Sequence, residues 1–390
     1  MTLPTRKLID LLETCDTGVW GKPAVKGKGL LILRSTNMSN DGKLDFSNVA
    51  ERNIKGDINK LKLLAGDILV EKSGGGPNQP VGRVAYFTAP DDEVYTFANF
   101  IQRLRAKFDL IDSRFLFYCL LFLHKIGFTK KLQSQTTGIR NLKLSLYLKT
   151  EIPAPPIKIQ KQIIERLDKI VEAQKLNDSL IQKTDELFQS LLNKELDPTG
   201  KNWEMKKLGE TFDRITESIL PTKQPDQKFN FVGLENMESN TGQIAGIKPI
   251  KGKLIRSTKT MFKKDNILYG KLRPYLNKVW LADNHGICST DIWVLRAKQN
   301  VILPLLLSSI LRQPQIVAKS SASMTGANLP RTNKNVFDNI KISPPPLKEQ
   351  KQIVTKLSAI QKYKKQLLEQ RAEFKELFDS VLSKSLRGDV

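Results

Sequence analysis

Asp67, Glu71 and Lys72, in the stretch GDILVEK, are the residue types with which a metal-dependent nuclease holds a cation and activates water. Their spacing argues against that use. On a strand, successive side chains point to opposite faces, so Glu71 and Lys72 cannot line one site. A similar stretch, DNILYGK from Asp265, has Gly270 in place of Glu71, and the apolar residues of both read as a plain buried strand. Other catalytic sets fail too. SGGGPNQPVG (Ser73 to Gly82) lacks the G-x-G-x-x-G spacing of a dinucleotide loop and the Gly-Lys-Ser/Thr of a P-loop. APPI and PPPL are not the Asn-Pro-Pro-aromatic tetrad of an adenine methyltransferase. His124 follows an apolar helical stretch and reads as structural, while His285 in ADNHGIC could be structural or functional. No Ser–His–Asp set can be assembled from two histidines. Cys15, Cys119 and Cys288 are scattered without metal-ligand spacing, as in a reducing cytoplasm. No catalytic or metal-binding residue is assigned.

What remains is chemistry suited to binding a polyanion. The net charge is +23. It is distributed as +9 over residues 1–150, −2 over 151–200, +11 over 201–340 and +5 over 341–390. Clustered positive charge of this size is the footprint of a nucleic-acid partner. Two loops follow the GDIL and NIL strands. The first offers Lys72, Ser73, Asn78, Gln79 and Arg83, with glycines at 74 to 76 that let the backbone approach closely. The second offers Lys271, Arg273, Tyr275, Asn277 and Lys278. Arg, Lys, Asn and Gln read guanine and adenine edges, and Lys, Arg and backbone N–H groups hold phosphates. Two Thr-Gly loops add Arg140 and Asn141, and Asn328 and Arg331. Ordinary polar turns would use many of the same residues.

The elements that must carry these loops occur twice. PPIKIQKQI from Pro155 and PPLKEQKQI from Pro345 open a match that runs without a gap to Leu196 and Leu386, with 17 of 42 positions identical. Upstream the two halves echo each other more weakly, at an offset drifting between about 188 and 200, so the unit is a body plus a connector, present twice. Each connector starts with prolines, a rigid lead-in to a helix. Positions 163, 167, 170, 174, 177, 181, 184, 188 and 191, and those 190 further on, form a heptad seam with polar interruptions. A helix of about 36 residues makes a rod of roughly 54 Å. Two such helices are expected to pack antiparallel. Ile164, Val171, Leu187, Leu192, Val354, Leu368, Leu377 and Leu382 widen the apolar stripe beyond one seam. They either pack on the chain's own bodies or form a docking surface for a partner protein, and are the partner-binding candidates.

The expected fold is therefore α+β (mixed α/β): two globular bodies, residues 1–154 and 198–343, joined by long antiparallel helices in a coiled-coil-like pair, residues 155–197 and 344–390, with an internal pseudo-two-fold repeat. No apolar run approaches the roughly 20 residues that cross a bilayer. The N-terminal MTLPTRKLIDLLE has charge where a signal peptide is apolar, and a cytoplasmic location is expected.

The order of body, PP-x-K-x-Q-K-Q-I helix, body, PP-x-K-E-Q-K-Q-I helix resembles the specificity subunit of type I restriction–modification systems, over essentially the whole chain. Ile159 departs from the family's usual Glu, which Glu349 retains. The resemblance implies that each body is a target-recognition domain reading one half of a split site in double-stranded DNA. It implies that the helices act as a ruler and seat two methyltransferase subunits, with nuclease and translocase subunits joining the complex. No cofactor is expected in this chain; S-adenosylmethionine, ATP and magnesium would belong to the partners. A rod of roughly 54 Å caps the half-site separation at about 16 base pairs. A free-standing bipartite DNA-binding regulator is the alternative, and an enzyme with an unrecognised nuclease site at Asp67 and Glu71 the more distant one.

Overall fold

The computed structural model describes residues 3–54, 58–76, 79–88, 90–136, 138–326 and 328–388. The chain divides into two compact units, Met1–Ser179 with Glu369–Val390, and Leu180–Leu368.

In unit 1, strands β1 (Leu12–Thr17), β2 (Ile68–Glu71), β3 (Val84–Tyr86) and β4 (Ile101–Ala106) form an antiparallel sheet of order β1-β4-β2-β3. β2 is buried along its whole length, through the apolar Ile68, Leu69 and Val70 and through Glu71, whose carboxylate is paired with Arg83. Helix α1 (Ser113–Lys125) packs against this sheet, and its start is capped by Asp112, whose carboxylate accepts the Arg114 N–H at 2.8 Å. A second small sheet, in which Leu30–Leu33 runs parallel to Tyr95–Phe97, closes another core around Leu33, Met38, Phe87 and Phe97. The start of the long helix α2 (Ile157–Glu195) contributes Ile163 and Leu167 to the main core.

Unit 2 repeats the plan. Strands β5 (Phe212–Ile215), β6 (Asn266–Gly270), β7 (Val279–Leu281) and β8 (Ile292–Ala297) have the order β5-β8-β6-β7. Helix α3 (Pro304–Leu311) takes the place of α1, and the start of the long helix α4 (Leu347–Arg387) contributes Ile353 and Leu357 to the core. Even the small turns recur. Asn37 accepts from the Arg34 N–H at 2.9 Å and donates to the Asp45 carbonyl; Asn236 accepts from the Gly233 N–H at 2.9 Å and donates to the Ala245 carbonyl.

Each core is also closed by the end of the other connector. Phe378, Leu382 and Leu386, near the end of α4, lie in the core of unit 1, and Leu192, near the end of α2, lies in the core of unit 2. Within each unit the helix segments run antiparallel. In unit 1, Gln174 donates to the Phe374 carbonyl, Asn177 donates to Gln370, and Arg371 pairs with Asp178 at 3.1 Å. In unit 2, Lys364 pairs with Asp185 and Lys356 with Glu195, both at 2.5 Å. The seam positions Asn177 and Thr184 are buried polar residues, Asn177 bonded to Gln370 and Thr184 to the Leu180 carbonyl of its own helix, and a polar group on a seam specifies register at some cost in stability. No helix among the described residues is long and apolar enough to cross a membrane.

Candidate nucleic-acid interface

The carboxylates that first suggested nuclease chemistry are committed elsewhere. Asp67 is buried, accepts two hydrogen bonds from Arg105 at 2.7 and 2.8 Å, and caps the turn before β2 by accepting the Leu64 N–H. Glu71 is buried against Arg83 in a two-pronged pair, with both contacts at 2.8 Å. Among the described residues no three of His, Cys, Asp and Glu are grouped so as to hold a metal ion. His124 lies beside Thr129, and burial, followed by the nearby Arg83, Lys130 and Lys125, pushes its pKa down to about 4.

The two candidate loops of each body meet in space. In unit 1, Ser73–Gly75 pairs with Ile139–Leu142, placing Ser73 opposite Asn141 and Gly75 opposite Arg140. Ser73 Oγ lies 2.7 Å from Asn141 Oδ1, and Gln133–Thr136 completes a three-stranded patch. In unit 2, Leu272 bridges to Arg331, the Arg273 N–H donates to the Pro330 carbonyl at 2.8 Å, and the Thr332 N–H donates to the Lys271 carbonyl at 2.9 Å. The same bond in unit 1 runs from the Leu142 N–H to the Lys72 carbonyl at 2.8 Å. So one composite surface per body gathers residues about 60 positions apart.

Within that surface the residues divide. Gln79, Arg273, Tyr275 and Asn328 are exposed. Lys72, Ser73, Arg140, Asn141, Lys271 and Arg331 are half-buried. Lys72 donates to Thr17 Oγ1 at 2.9 Å, and partial burial lowers its pKa, with Cys15 acting in the opposite direction. Arg331 pairs with Asp291 at 3.0 Å. Asn78 lies outside the described residues.

Two assigned residues serve the frame instead of the surface. Arg83 is 8% exposed and donates to the Met38 and Ser35 carbonyls as well as to Glu71. Lys278 takes the equivalent place in unit 2 and donates to the Leu234 carbonyl at 2.6 Å. The pairing is explicit in the backbone: the Glu71 N–H donates to the Arg83 carbonyl and the Gly270 N–H to the Lys278 carbonyl, each at 2.8 Å. Asn277 also turns inward, donating to Asn240 and to the Arg312 carbonyl. Arg273 and Asn277 both take the left-handed backbone, at φ 51° and 48°, so the short 271–278 loop is tightly bent with Arg273 and Tyr275 at its outside. Of the glycines, Gly75 is required by the hairpin itself, since a Cβ there would lie 2.7 Å from the Gln79 carbonyl oxygen.

The connector residues assigned to a partner also divide. Leu192 and Leu382 are 2% and 1% exposed and belong to the chain's own cores, which corrects their assignment to a partner surface. Ile164, Val171 and Val354 pack on those cores in part, and Leu368 is half-buried. Leu187 and Leu377, equivalent in the repeat, are exposed at 57% and 47%.

The residues missed from sequence are Gln160 and Gln350. Both are fully buried. Gln160 donates to the Pro155 and Leu110 carbonyls at 2.8 and 3.3 Å and accepts the Asp112 N–H at 2.8 Å. Gln350 donates to the Pro345 and Val301 carbonyls, both at 2.8 Å, and accepts the Leu303 N–H at 2.9 Å. Their identity in both repeats was the available signal.

Known proteins share this arrangement. The profile of the type I restriction modification DNA specificity domain matches residues 25–184 and again 200–373. The type I restriction enzyme EcoDI specificity subunit of Escherichia coli is 30% identical over 206 residues, which is 51% of this chain; the chain spans 44% of that relative's length. The provisionally named MjaX specificity subunit of Methanocaldococcus jannaschii is 23% identical over 374 residues, covering 91% of this chain and 86% of the relative. The type I S subunit of M. genitalium superposes with a TM-score of 0.57 at 16% identity, over 98% of this chain and 96% of that one. A chain from a structure concerning complex assembly of the type I R-M system gives 0.58 at 17% identity, over 100% and 98%. At such identities the likeness is one of fold. With its profile matched twice and most of its length covered, the chain belongs to the type I restriction–modification DNA specificity family.

Proposed function

We propose that this protein is the DNA-recognition subunit of a type I restriction–modification complex, without catalysis of its own. Each body reads one half of a split, asymmetric site in double-stranded DNA, and the helices set the gap and seat two methyltransferase subunits. The observation that carries this reading is one frame built twice with different loops on it: a Gly-rich hairpin at Ser73–Gly75 and a tight Arg-Pro-Tyr loop at 273–275. Two like seats suit two copies of one partner, and two unlike loops suit two unlike half-sites. Gln79, Arg273, Tyr275 and Asn328 are the foremost candidates to meet bases, with Lys72, Arg140, Lys271 and Arg331 placed for phosphates. Leu187 and Leu377 are the equivalent exposed apolar points for the methyltransferase seats. Methyl donor, ATP and magnesium belong to the partner subunits, and nuclease and translocase subunits join through the assembled core.

The test is co-expression with the neighbouring methyltransferase subunit and mapping of adenine methylation. A split, asymmetric motif that requires both chains is the expected result. If methylation never appears while the lone chain still binds one sequence tightly, the chain is a free-standing regulator and the proposal fails.

A further inference from the structure

The buried glutamine at the start of each connector does something that the apolar contacts around it cannot. Ile163 and Leu167, and Ile353 and Leu357, hold each helix start to its body by burial, which is strong and has little directional preference. Hydrogen bonds are directional and weaken steeply when bent. Gln160 ties three backbone groups together: the carbonyl of Pro155 in the helix lead-in, and the Leu110 carbonyl and Asp112 N–H in the segment that opens α1. Gln350 does the same with Pro345, Val301 and Leu303 at the opening of α3. No side chain of the variable bodies takes part, so the device is indifferent to which body it carries. A helix start cannot swing about its body without breaking bonds that no water could replace, because both glutamines are fully buried.

We infer that Gln160 and Gln350 are positioning residues that fix the angle at which each body is presented from its helix, and that they thereby restrict the complex to one gap length. This inference rests on the proposed function. Adding one base pair to the gap moves a half-site by about 3.4 Å and rotates it by roughly 35°. In unit 1, Asp168 also ties this helix to the body through the side chains of Arg114 and Tyr118. Side-chain and apolar contacts can re-aim to follow that rotation; three hydrogen bonds to backbone groups cannot.

The experiment uses the full chain assembled with its methyltransferase subunits and a DNA library holding both half-sites with the gap varied by one base pair at a time. Wild type is expected to methylate one gap. Gln160→Met and Gln350→Met, which keep the side chain's bulk and remove its polar atoms, are expected to raise methylation at gaps one base pair longer or shorter at least tenfold, with both half-site sequences unchanged. Leu167→Ala destabilises the same junction without touching the glutamine and is expected to keep the single gap. If Gln350→Met does not fold, Leu303→Pro removes the N–H that Gln350 accepts, at a φ of −77° that a proline ring fits, together with the leucine side chain that packs on the core; it is expected to broaden the gap in the same way, while Leu303→Ala, which trims the side chain and keeps the N–H, is expected to keep the single gap. A single gap retained in folded Gln→Met or Leu303→Pro complexes would overturn the inference, as would equal broadening by Leu167→Ala. A wild-type complex that methylates no split site would instead overturn the proposed function.

Discussion

Arg83 in unit 1 and Lys278 in unit 2 sit at equivalent points of the two units' separate sheets, and the two bodies diverge there. Both donate to a carbonyl of the short turn that follows an equivalent strand, Ser35 in one and Leu234 in the other. Only Arg83 also faces a buried carboxylate, because Glu71 has become Gly270 in unit 2. Unit 1 therefore spends its cation internally and presents a glycine-rich hairpin. Unit 2 closes the loop with less chemistry and keeps Arg273 outside, on a left-handed backbone. The frame tolerates either solution because its strand order and backbone hydrogen bonds do not depend on the side chains at its edge.

The two units should differ most in their response to loss of these cations. Arg83→Met leaves Glu71 buried without its partner and should destabilise unit 1 by about 3–5 kcal/mol. Lys278→Met strands no carboxylate and should cost unit 2 about 1 kcal/mol. Denaturant melts that show equal losses would remove the distinction. Leu382→Ala and Leu192→Ala should each cost about 2–5 kcal/mol, but in opposite units. Hydrogen exchange read unit by unit checks this, and a loss confined to the unit nearest in sequence would contradict it. Arg273→Ala should weaken DNA binding by about 1–3 kcal/mol and relax one half-site only. A uniform loss across all sequences would make Arg273 a phosphate contact.

Smaller effects sharpen the picture. His124 is held neutral, with its pKa lowered to about 4 by burial first. A depressed folded value means that stability is complete above the unfolded pKa near 6.5 and is lost as pH falls toward 4. With the ring partly screened by solvent, the loss should be on the order of 1–2 kcal/mol, in unit 1 alone. His124→Gln should flatten that pH dependence. Smallest in stability, within about 0.5 kcal/mol, should be Leu187→Ser and Leu377→Ser, since both are exposed. Each should still weaken capture of one methyltransferase subunit, and unchanged stoichiometry in native mass spectrometry would reject both leucines as seats.

Much of the frame was legible in the sequence. Heptad spacing and proline lead-ins announced helices that run Ile157–Glu195 and Leu347–Arg387, and the short apolar runs Ile68–Val70 and Ile267–Tyr269 announced the buried strands Ile68–Glu71 and Asn266–Gly270. The surface was less legible, because it depends on long-range pairing. Nothing local in Ser73 points to Asn141, or in Leu272 to Arg331. Arg83 looked available because the two carbonyls it binds lie 45 and 48 residues upstream and Glu71 lies across a strand pair, 12 residues back. Leu192 and Leu382 looked like surplus stripe because each is claimed by the body that does not precede its helix. Periodicity reports that a face is apolar and leaves open what covers it.

That last arrangement bears on biosynthesis. The core of unit 1 joins Leu8 and Leu11 to Phe378, Leu382 and Leu386, so this body, made before that of unit 2, cannot be completed until Leu386 has emerged from the ribosome. Unit 2, spanning Leu180–Leu368, has all its parts earlier. The nascent chain must therefore carry an unfinished apolar face on this body while all of unit 2 is made, a long exposure to chaperones and to aggregation. Closing this late contact is the event that completes unit 1.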